Sequence, residues 1–236
     1  MEIQRGLPPG VQVVELRLDG LFIKKSDAAL DEFKKQVQER IRANLPSLDA
    51  VKDQKVFRAY RDFFWGVGVD PTKTRPAGEA LTRRILSGRG LPTINTFVDS
   101  YNLASAETGI AIAAFDLSKV SGPDLSMRKA TPREVFLGIG MEAPIELKGV
   151  EMVIEDSRSR ELVAVYPYRD SDGSKVTEES ESVLLMMCGV PGIETSLLEE
   201  ARDVAKRYVE RFCTRAPGRG PRPGARHPAL EPDTSR

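Results

Sequence analysis

LPTINTFVDSYNLASAETGIAIAAFD, residues 91–116, is the stretch of this sequence that decides the fold. Within it, Asn95–Ala106 is typical of a helix, and Gly109–Asp116 is a nearly continuous apolar run that predicts a buried strand. A helix that leads directly into a buried strand is typical of a domain in which helices pack against a sheet.

Three polar residues stand out in this otherwise apolar stretch: Asp99, Asn102 and Glu107. At helical spacing, Asp99, Asn102 and Ala106 share one face. Buried polar groups need hydrogen-bond partners. These side chains are therefore expected either to hold the preceding loop, Gly90–Asn95, in place or to line a pocket.

Strands and helices also alternate outside this stretch. The strands expected from β-branched or alternating apolar residues are Val11–Ile23, Val150–Asp156, Glu161–Tyr168 and Val183–Cys188. The helices expected from apolar spacing run from Ser26 or Asp27 to Asn44, then over Val56–Trp65, Ala77–Ser87 and Ile193–Phe212. The fold class expected is α/β (α+β): a single domain over residues 1–213, with a mixed sheet packed by helices.

The end of the chain has two distinct parts. The last helix is expected to have Thr195 or Ser196 near its cap, with Glu199 and Glu200 in its first turn. The segment after it, Thr214–Arg236, is rich in proline, arginine and glycine and lacks apolar periodicity. Such a segment cannot offset its ordering entropy and is expected to be disordered.

Charge and histidine content exclude several classes of function. Lys+Arg and Asp+Glu both number 35, so the chain is not a strongly basic nucleic-acid binder. A local patch of positive charge that contacts RNA is still compatible with this net charge of zero. The single histidine, His227, lies in the expected tail. The folded part therefore has no Ser-His-Asp or Cys-His pair and no histidine-based metal site.

The remaining composition indicates a cytoplasmic protein without metal or cofactor. Cys188 and Cys213 lie among apolar residues and are expected to be buried thiols rather than a disulfide or a metal site. The N-terminal residues lack the apolar region of a signal peptide. No stretch approaches the roughly 20 apolar residues that a membrane span needs.

Two further motifs carry weaker signals. GVGVDPTKT (66–74) resembles a phosphate-binding loop but lacks the final glycine and the strand-turn-helix context, which favours an ordinary loop. RDSDG (169–173) is expected to be a turn in which Gly173 permits a positive φ. Around it, Arg169, Lys175 and Thr177 either recognise a carboxylate or phosphate or belong to a solvated hairpin.

Three stretches taken together identify a resemblance. They are YRDFFWGVGVDPTKTRPAGEALTRRIL (60–86), the quoted residues 91–116, and VTEESESVLLM (176–186). In order and spacing they resemble the B-three/B-four domain of the phenylalanyl-tRNA synthetase beta subunit, and its free-standing relatives more closely. The resemblance spans about Tyr60–Met187. The residues that match its most specific pattern are Ile94, Val98, Asp99, Asn102, Gly109, Ala114, Phe115 and Asp116.

This resemblance implies a pocket for an aminoacyl group on a terminal adenosine, because in the synthetase the domain removes wrongly attached tyrosine. Three polar positions of the family pattern are apolar here: the arginine position is Pro92, the histidine position is Ala113 and the glutamate position is Met186. Losing a buried polar partner costs discrimination by orders of magnitude. The fold is therefore expected to carry over, the synthetase's reaction is not, and no catalytic residue is assigned.

The resemblance also implies where the pocket lies. It is expected between the loop Gly90–Asn95, the strand Gly109–Asp116, the strand end Tyr166–Arg169 and the strand Val183–Met187. The candidate substrate-binding residues are Pro92, Thr93, Asn95, Ala113, Tyr168, Lys175 and Met186. The apolar replacements predict a pocket more apolar than that of the synthetase.

Three functions remain open from the sequence. The first is a trans-acting aminoacyl-tRNA hydrolase of altered specificity, acting in translation quality control. The second is a non-catalytic module that binds tRNA or an amino-acid-like or nucleoside-like ligand, and the third is a structural or interaction protein. The expected partners are tRNA, aminoacyl-tRNA or a small amino-acid-like molecule, with no DNA and no membrane. The chain lacks an aminoacylation core and is not expected to charge tRNA by itself.

Overall fold

The computed structural model of the protein describes residues 2–3, 8–45, 47–121 and 124–214. Within them, the helices are α1 (Ala28–Asn44), α2 (Leu48–Val51), α3 (Lys55–Gly66), α4 (Ala77–Leu86), α5 (Thr96–Thr108) and α6 (Thr195–Phe212). The first five strands are β1 (Glu2–Ile3), β2 (Gln12–Asp19), β3 (Ala111–Asp116), β4 (Leu125–Lys129) and β5 (Val135–Phe136). The remaining strands are β6 (Ile145–Glu146), β7 (Met152–Asp156), β8 (Leu162–Tyr166), β9 (Arg169–Asp170) and β10 (Ser182–Gly189).

The strands form separate sheets rather than one. An antiparallel sheet has the order β2-β10-β3, and a second sheet has the order β1-β4-β7-β8-β9, in which β1 and β4 are parallel. Strands β5 and β6 form a two-stranded ribbon. The α+β class is thus confirmed, whereas the expectation of one sheet was incomplete. Strands β5, β6 and β9 have two residues each and are too short to give a clear alternating pattern.

Local capping explains where the helices begin and end. The Asp27 carboxylate accepts hydrogen bonds from the first turn of α1, as expected. Asn95 caps α5, which ends at Gly109 in the left-handed conformation, with φ of 76°. The expected start of the last helix was wrong by two residues, because the helix begins at Thr195 rather than Ile193. Thr195 lies next to the N-cap residue, Glu194, as expected, but Glu194 makes no side-chain cap, and Glu199 and Glu200 lie beyond the first turn.

The helices bury one face of the three-stranded sheet. Helices α5 and α6 pack against each other, α6 contacts β2 and β10, and α5 contacts β3. The buried core continues into the second sheet through Met127, Ile154 and Tyr166. Cys188 and Cys213 are buried free thiols, which confirms that expectation.

Two further expectations concern the C-terminal half. The predicted hairpin is confirmed as β7 paired with β8. The predicted turn after it was wrong: Arg169 and Asp170 form β9, which pairs with β8, and Gly173 does not have a positive φ. The expected tail lies outside the described residues from position 215 onward. In the described part of the chain, no helix combines the length and the apolar character required to cross a membrane.

Candidate functional site

A buried ion pair fixes the loop before α5. The Lys34 ammonium lies 2.8 Å from Asp99 Oδ2 and also donates to the Pro92 carbonyl oxygen at 3.1 Å and to Thr93 Oγ1 at 3.0 Å. The other oxygen of Asp99 accepts the Ile94 N–H at 2.9 Å. Lys34 and Asp99 are only 4% and 3% exposed. Of the two roles expected for Asp99, the structure therefore shows the one in which it holds the loop.

The other polar residues of the quoted stretch have structural contacts of their own. Asn95 is buried, and its Oδ1 accepts the Val98 N–H at 2.9 Å. Glu107 is exposed and pairs with Arg40 at 2.9 Å. These contacts fix the two ends of α5, and with them the position of the loop relative to β3.

Ala113 and Met186 lie directly opposite each other on β3 and β10. Opposed residues of an antiparallel pair point to the same face of the sheet. Their exposed fractions are 7% and 0%, so both side chains are buried in the apolar core. The structure thus brings these two predicted residues together, and neither side chain forms a hydrogen bond there.

The side chain of Asp170 reaches the open edge of β3. Its Oδ2 accepts the Ala114 N–H at 3.1 Å, and four residues later the Ser174 carbonyl accepts the Asp116 N–H at 2.9 Å. Residues 170–174 therefore cover the edge that β10 leaves free. Sequence reasoning missed Asp170 because RDSDG has the composition of an exposed turn. No local pattern signals that its carboxyl group is partly buried against β3.

The surroundings of Asp170 are electrostatically unusual. Burial raises the pKa of its carboxyl group to about 7, and the single hydrogen bond from Ala114 only partly opposes the shift. Burial also raises the pKa of the Tyr101 phenol, and the nearby charges of Asp170 and Asp99 raise it further. Tyr101 lies in α5, two residues after Asp99, and its ring packs edge-on against Phe97, with centroids 5.8 Å apart. We call the region of Tyr101, Asp170, Ala114 and the loop 90–95 the β3-edge site.

Replacing Asp170 by asparagine is expected to change how stability depends on pH. The folded-state pKa of about 7 is above the ordinary 3.8. Folding therefore costs little at this group below about pH 4, and the cost grows between about pH 4 and pH 7 and is constant above that. Relative to Asp170→Asn, the wild-type free energy of unfolding is expected to fall by up to about 4 kcal/mol between about pH 4 and pH 8. Urea unfolding across this range measures it, and parallel curves for the two proteins would contradict it.

Three other side chains singled out in the sequence have partners elsewhere. Tyr168 packs edge-on against Phe64, with ring centroids 5.8 Å apart. The Lys175 ammonium is paired with the Asp172 carboxylate at 2.8 Å. Arg169 donates to the Ile139 carbonyl at 2.9 Å. These contacts account for the three side chains without a ligand.

Three cavities lie outside the β3-edge site. One of about 440 Å³ lies between β5 and β8, and one of about 290 Å³ lies among α1, α3 and α5. A more apolar groove of about 570 Å³ lies between α3 and Pro191. None of these three is lined by any of the seven predicted residues. The described residues contain no cluster of His, Cys, Asp and Glu suited to a metal ion.

Comparison with known proteins gives a matching family and several similar solved structures. The family model described as "B3/4 domain" matches residues 59–216. An N-terminal fragment of the phenylalanyl-tRNA synthetase beta subunit from Pyrococcus horikoshii is similar at 14% identity and a TM-score of 0.48. That match covers 89% of this chain and 48% of the fragment, so the chain spans about half of the fragment's length. A search of curated proteins found no match.

Proposed function

The chain belongs to the B3/4 domain family, and from that premise we propose that it binds the aminoacylated end of tRNA. We further propose that it acts as a trans-acting deacylase for amino acids with small or apolar side chains. This is a role in translation quality control in the cytoplasm. In this proposal the chain binds aminoacyl-tRNA and hydrolyses its aminoacyl ester, and it does not attach amino acids to tRNA.

The observation that carries the proposal is the preorganised loop of the β3-edge site. Lys34 and Asp99 hold the backbone of the loop from both sides, while Thr93 and Ile94 remain exposed, Ile94 by 43%. A loop that is already ordered loses little conformational entropy when a ligand binds. Such a loop is suited to position a flexible nucleotide end.

Two arginines near the loop supply positive charge for a phosphate. Arg84 Nε donates to the Gly90 carbonyl at 2.6 Å, and Arg89 Nε donates to Ser87 Oγ at 3.1 Å. Neither arginine forms an ion pair with any acidic residue of the described chain. Because Lys34 is neutralised by Asp99, these guanidinium groups provide the free charge on this side. Uncompensated arginines are typical of phosphate contacts.

The apolar pair Ala113 and Met186 favours an apolar aminoacyl group. Neither side chain is a useful hydrogen-bond partner for a tyrosine hydroxyl. Hydrolysis in such a site rests on backbone donors, a positioned water and the ribose hydroxyl of the substrate. A buried surface without polar groups tolerates an alkyl side chain and penalises a hydroxyl that it leaves unpaired.

A deacylation assay across a panel of aminoacyl-tRNAs tests the proposal. Tyr-tRNA-Phe is expected to be hydrolysed slowly or not at all, since the loss of each oriented polar contact lowers the rate of hydrolysis by about 10²–10³-fold. Clearance is expected for tRNA that carries alanine, valine or leucine. Robust clearance of Tyr-tRNA-Phe, with none of the apolar substrates cleared, contradicts the proposal.

The second candidate is a non-catalytic module that binds tRNA, favoured by the apolar character of Pro92, Ala113 and Met186. If no aminoacyl-tRNA of the panel is hydrolysed and tRNA still binds, the result selects this candidate. In either case, Arg89→Ala is expected to weaken tRNA binding about threefold to tenfold and to reduce its salt dependence. The matched control is Arg158→Ala, because Arg158 is exposed on the β7–β8 turn and pairs with no acidic residue of the described chain.

A further inference from the structure

The edges of the two larger sheets differ in how they are covered. The edge of β3 that β10 leaves free is covered by residues 170–174. The edge of β9 is covered by residues 137–139, where the Ile139 N–H donates to the Asp170 carbonyl at 2.9 Å. Strand β2 pairs with β10 on one side, and the described residues place no strand on its other side. A strand edge of this kind is a template for pairing with another strand.

Strand β2 lacks the features by which proteins usually block such an edge. It is eight residues long, contains no proline, and keeps one register with β10 from Gln12 to Asp19 without a bulge. Its charged side chains, Glu15, Arg17 and Asp19, alternate in sign along one face, and the last two are 63% and 54% exposed. A row of like charges would repel a second strand, whereas alternating charges attract one in a matching register.

The sequence of β2 is complementary to itself about Leu16. If two copies pair antiparallel around a two-fold axis at Leu16, each residue lies opposite the one equally far from Leu16 in the other copy. Glu15 then lies opposite Arg17 of the second copy, and Arg17 opposite Glu15, so the charges attract twice. On the other face, Leu16 lies opposite itself and Val14 opposite Leu18, and these apolar side chains pack against the core in each copy.

We propose that two copies of this chain associate through β2, which joins their three-stranded sheets into one continuous sheet across a two-fold axis at Leu16. Backbone hydrogen bonds between the two β2 strands supply affinity, and the reciprocal pairs of Glu15 and Arg17 fix the register. A register centred on Leu18 would pair Arg17 with Asp19, but it joins only the strand ends, because β2 ends at Asp19. The inference is independent of the proposed function. Strand β3 lies at the opposite edge of the sheet, so both β3-edge sites remain outside the interface.

Charge reversal at the two paired positions tests this inference. Glu15→Arg and Arg17→Glu each turn both reciprocal pairs into like-charge pairs, so each variant alone is expected to dimerise about 10- to 100-fold more weakly than the wild type. In a mixture of the two variants, the heterodimer has opposite charges at both pairs, and mixing is expected to restore the wild-type affinity. Analytical ultracentrifugation of the full chain, with one variant fluorescently labelled, measures both. The control Glu32→Arg reverses an exposed charge on α1 and is expected to leave the affinity unchanged.

A cysteine at the two-fold axis tests the register. Leu16→Cys places two thiols directly opposite each other, with Cα atoms about 4.5–5.5 Å apart, a separation that a disulfide spans. The full chain with this substitution is expected to form a disulfide-linked dimer under mild oxidation. Asp19→Cys is the matched control on the same strand, because its two thiols would lie about 20 Å apart along the paired strands and remain unlinked. The native thiols of Cys188 and Cys213 are buried and do not compete.

The outcomes decide between this interface and the alternatives. A wild-type chain that stays monomeric up to its solubility limit overturns the inference, and the proposed function still stands. A dimer that neither charge reversal weakens also overturns it, because the copies then meet at another surface. Weakening by each reversal and recovery in the mixture supports it. The crosslinking test uses other side chains, so it decides the question if a charge reversal impairs folding.

Discussion

Replacing Asp99 by alanine is expected to lower the free energy of unfolding by about 3–5 kcal/mol. The substitution leaves the Lys34 ammonium, only 4% exposed, buried without its carboxylate, and a buried charge without its partner costs about that much. It also removes the acceptor of the Ile94 N–H. The half-exposed Asp31, 3.6 Å from Lys34, compensates in part, which places the effect toward the lower end of this range. Urea unfolding followed by circular dichroism measures it.

The matched control is Glu32→Ala on the same helix. Glu32 pairs with Lys35 at 3.0 Å, but the two side chains are 62% and 69% exposed. An exposed pair of this kind contributes about 0.5 kcal/mol or less. Hydrogen exchange at the Ile94 amide should accelerate in Asp99→Ala and not in the control. A loss below about 1 kcal/mol for Asp99→Ala would show that the ion pair does not hold the loop.

Replacing Gly78 by alanine is expected to lower the free energy of unfolding by about 3 kcal/mol. Gly78 lies in the first turn of α4, against the residue that ends α5. A Cβ atom at this position would lie 2.4 Å from the Gly109 carbonyl oxygen and 2.7 Å from its carbonyl carbon. Both are backbone atoms, so the contact is relieved only if α4 moves away from α5. Thermal and urea unfolding measure the loss.

Gly66→Ala is the control for this substitution. Gly66 is the last residue of α3, and no atom lies within 4 Å of the position of its Cβ. Alanine is therefore expected to leave stability unchanged or to raise it by up to about 0.5 kcal/mol, through its higher helix propensity. If both glycine variants behaved alike, the close approach of α4 and α5 would not be what requires glycine at position 78.

Much of the fold could be predicted because its determinants are local. The cap at Asp27, the glycine that ends α5, and the apolar run of β3 each depend on residues within a few positions of one another. The short strand β9 could not be predicted in this way. Its two residues follow a tight connection from β8, and their pairing depends on the second sheet rather than on their own composition.

The candidate site, too, could be predicted only where local sequence was sufficient. The family pattern marked Asp99, Ala113 and Met186 from the sequence, because a motif records residue identities at fixed spacing. The ion pair that gives Asp99 its role joins residues 65 positions apart, and the hydrogen bond of Asp170 to β3 spans 56 positions.

By itself, the sequence determined the positions of most helices and many strands. Only the tertiary structure decided which charges are buried and which of them lack a partner. The physical reason is that the desolvation of a carboxyl group depends on every chain segment packed around it. In the sequence, Asp170 belongs to a segment with the composition of an exposed turn. Its carboxyl group becomes partly buried, with a raised pKa, only when residues 170–174 lie along the edge of β3.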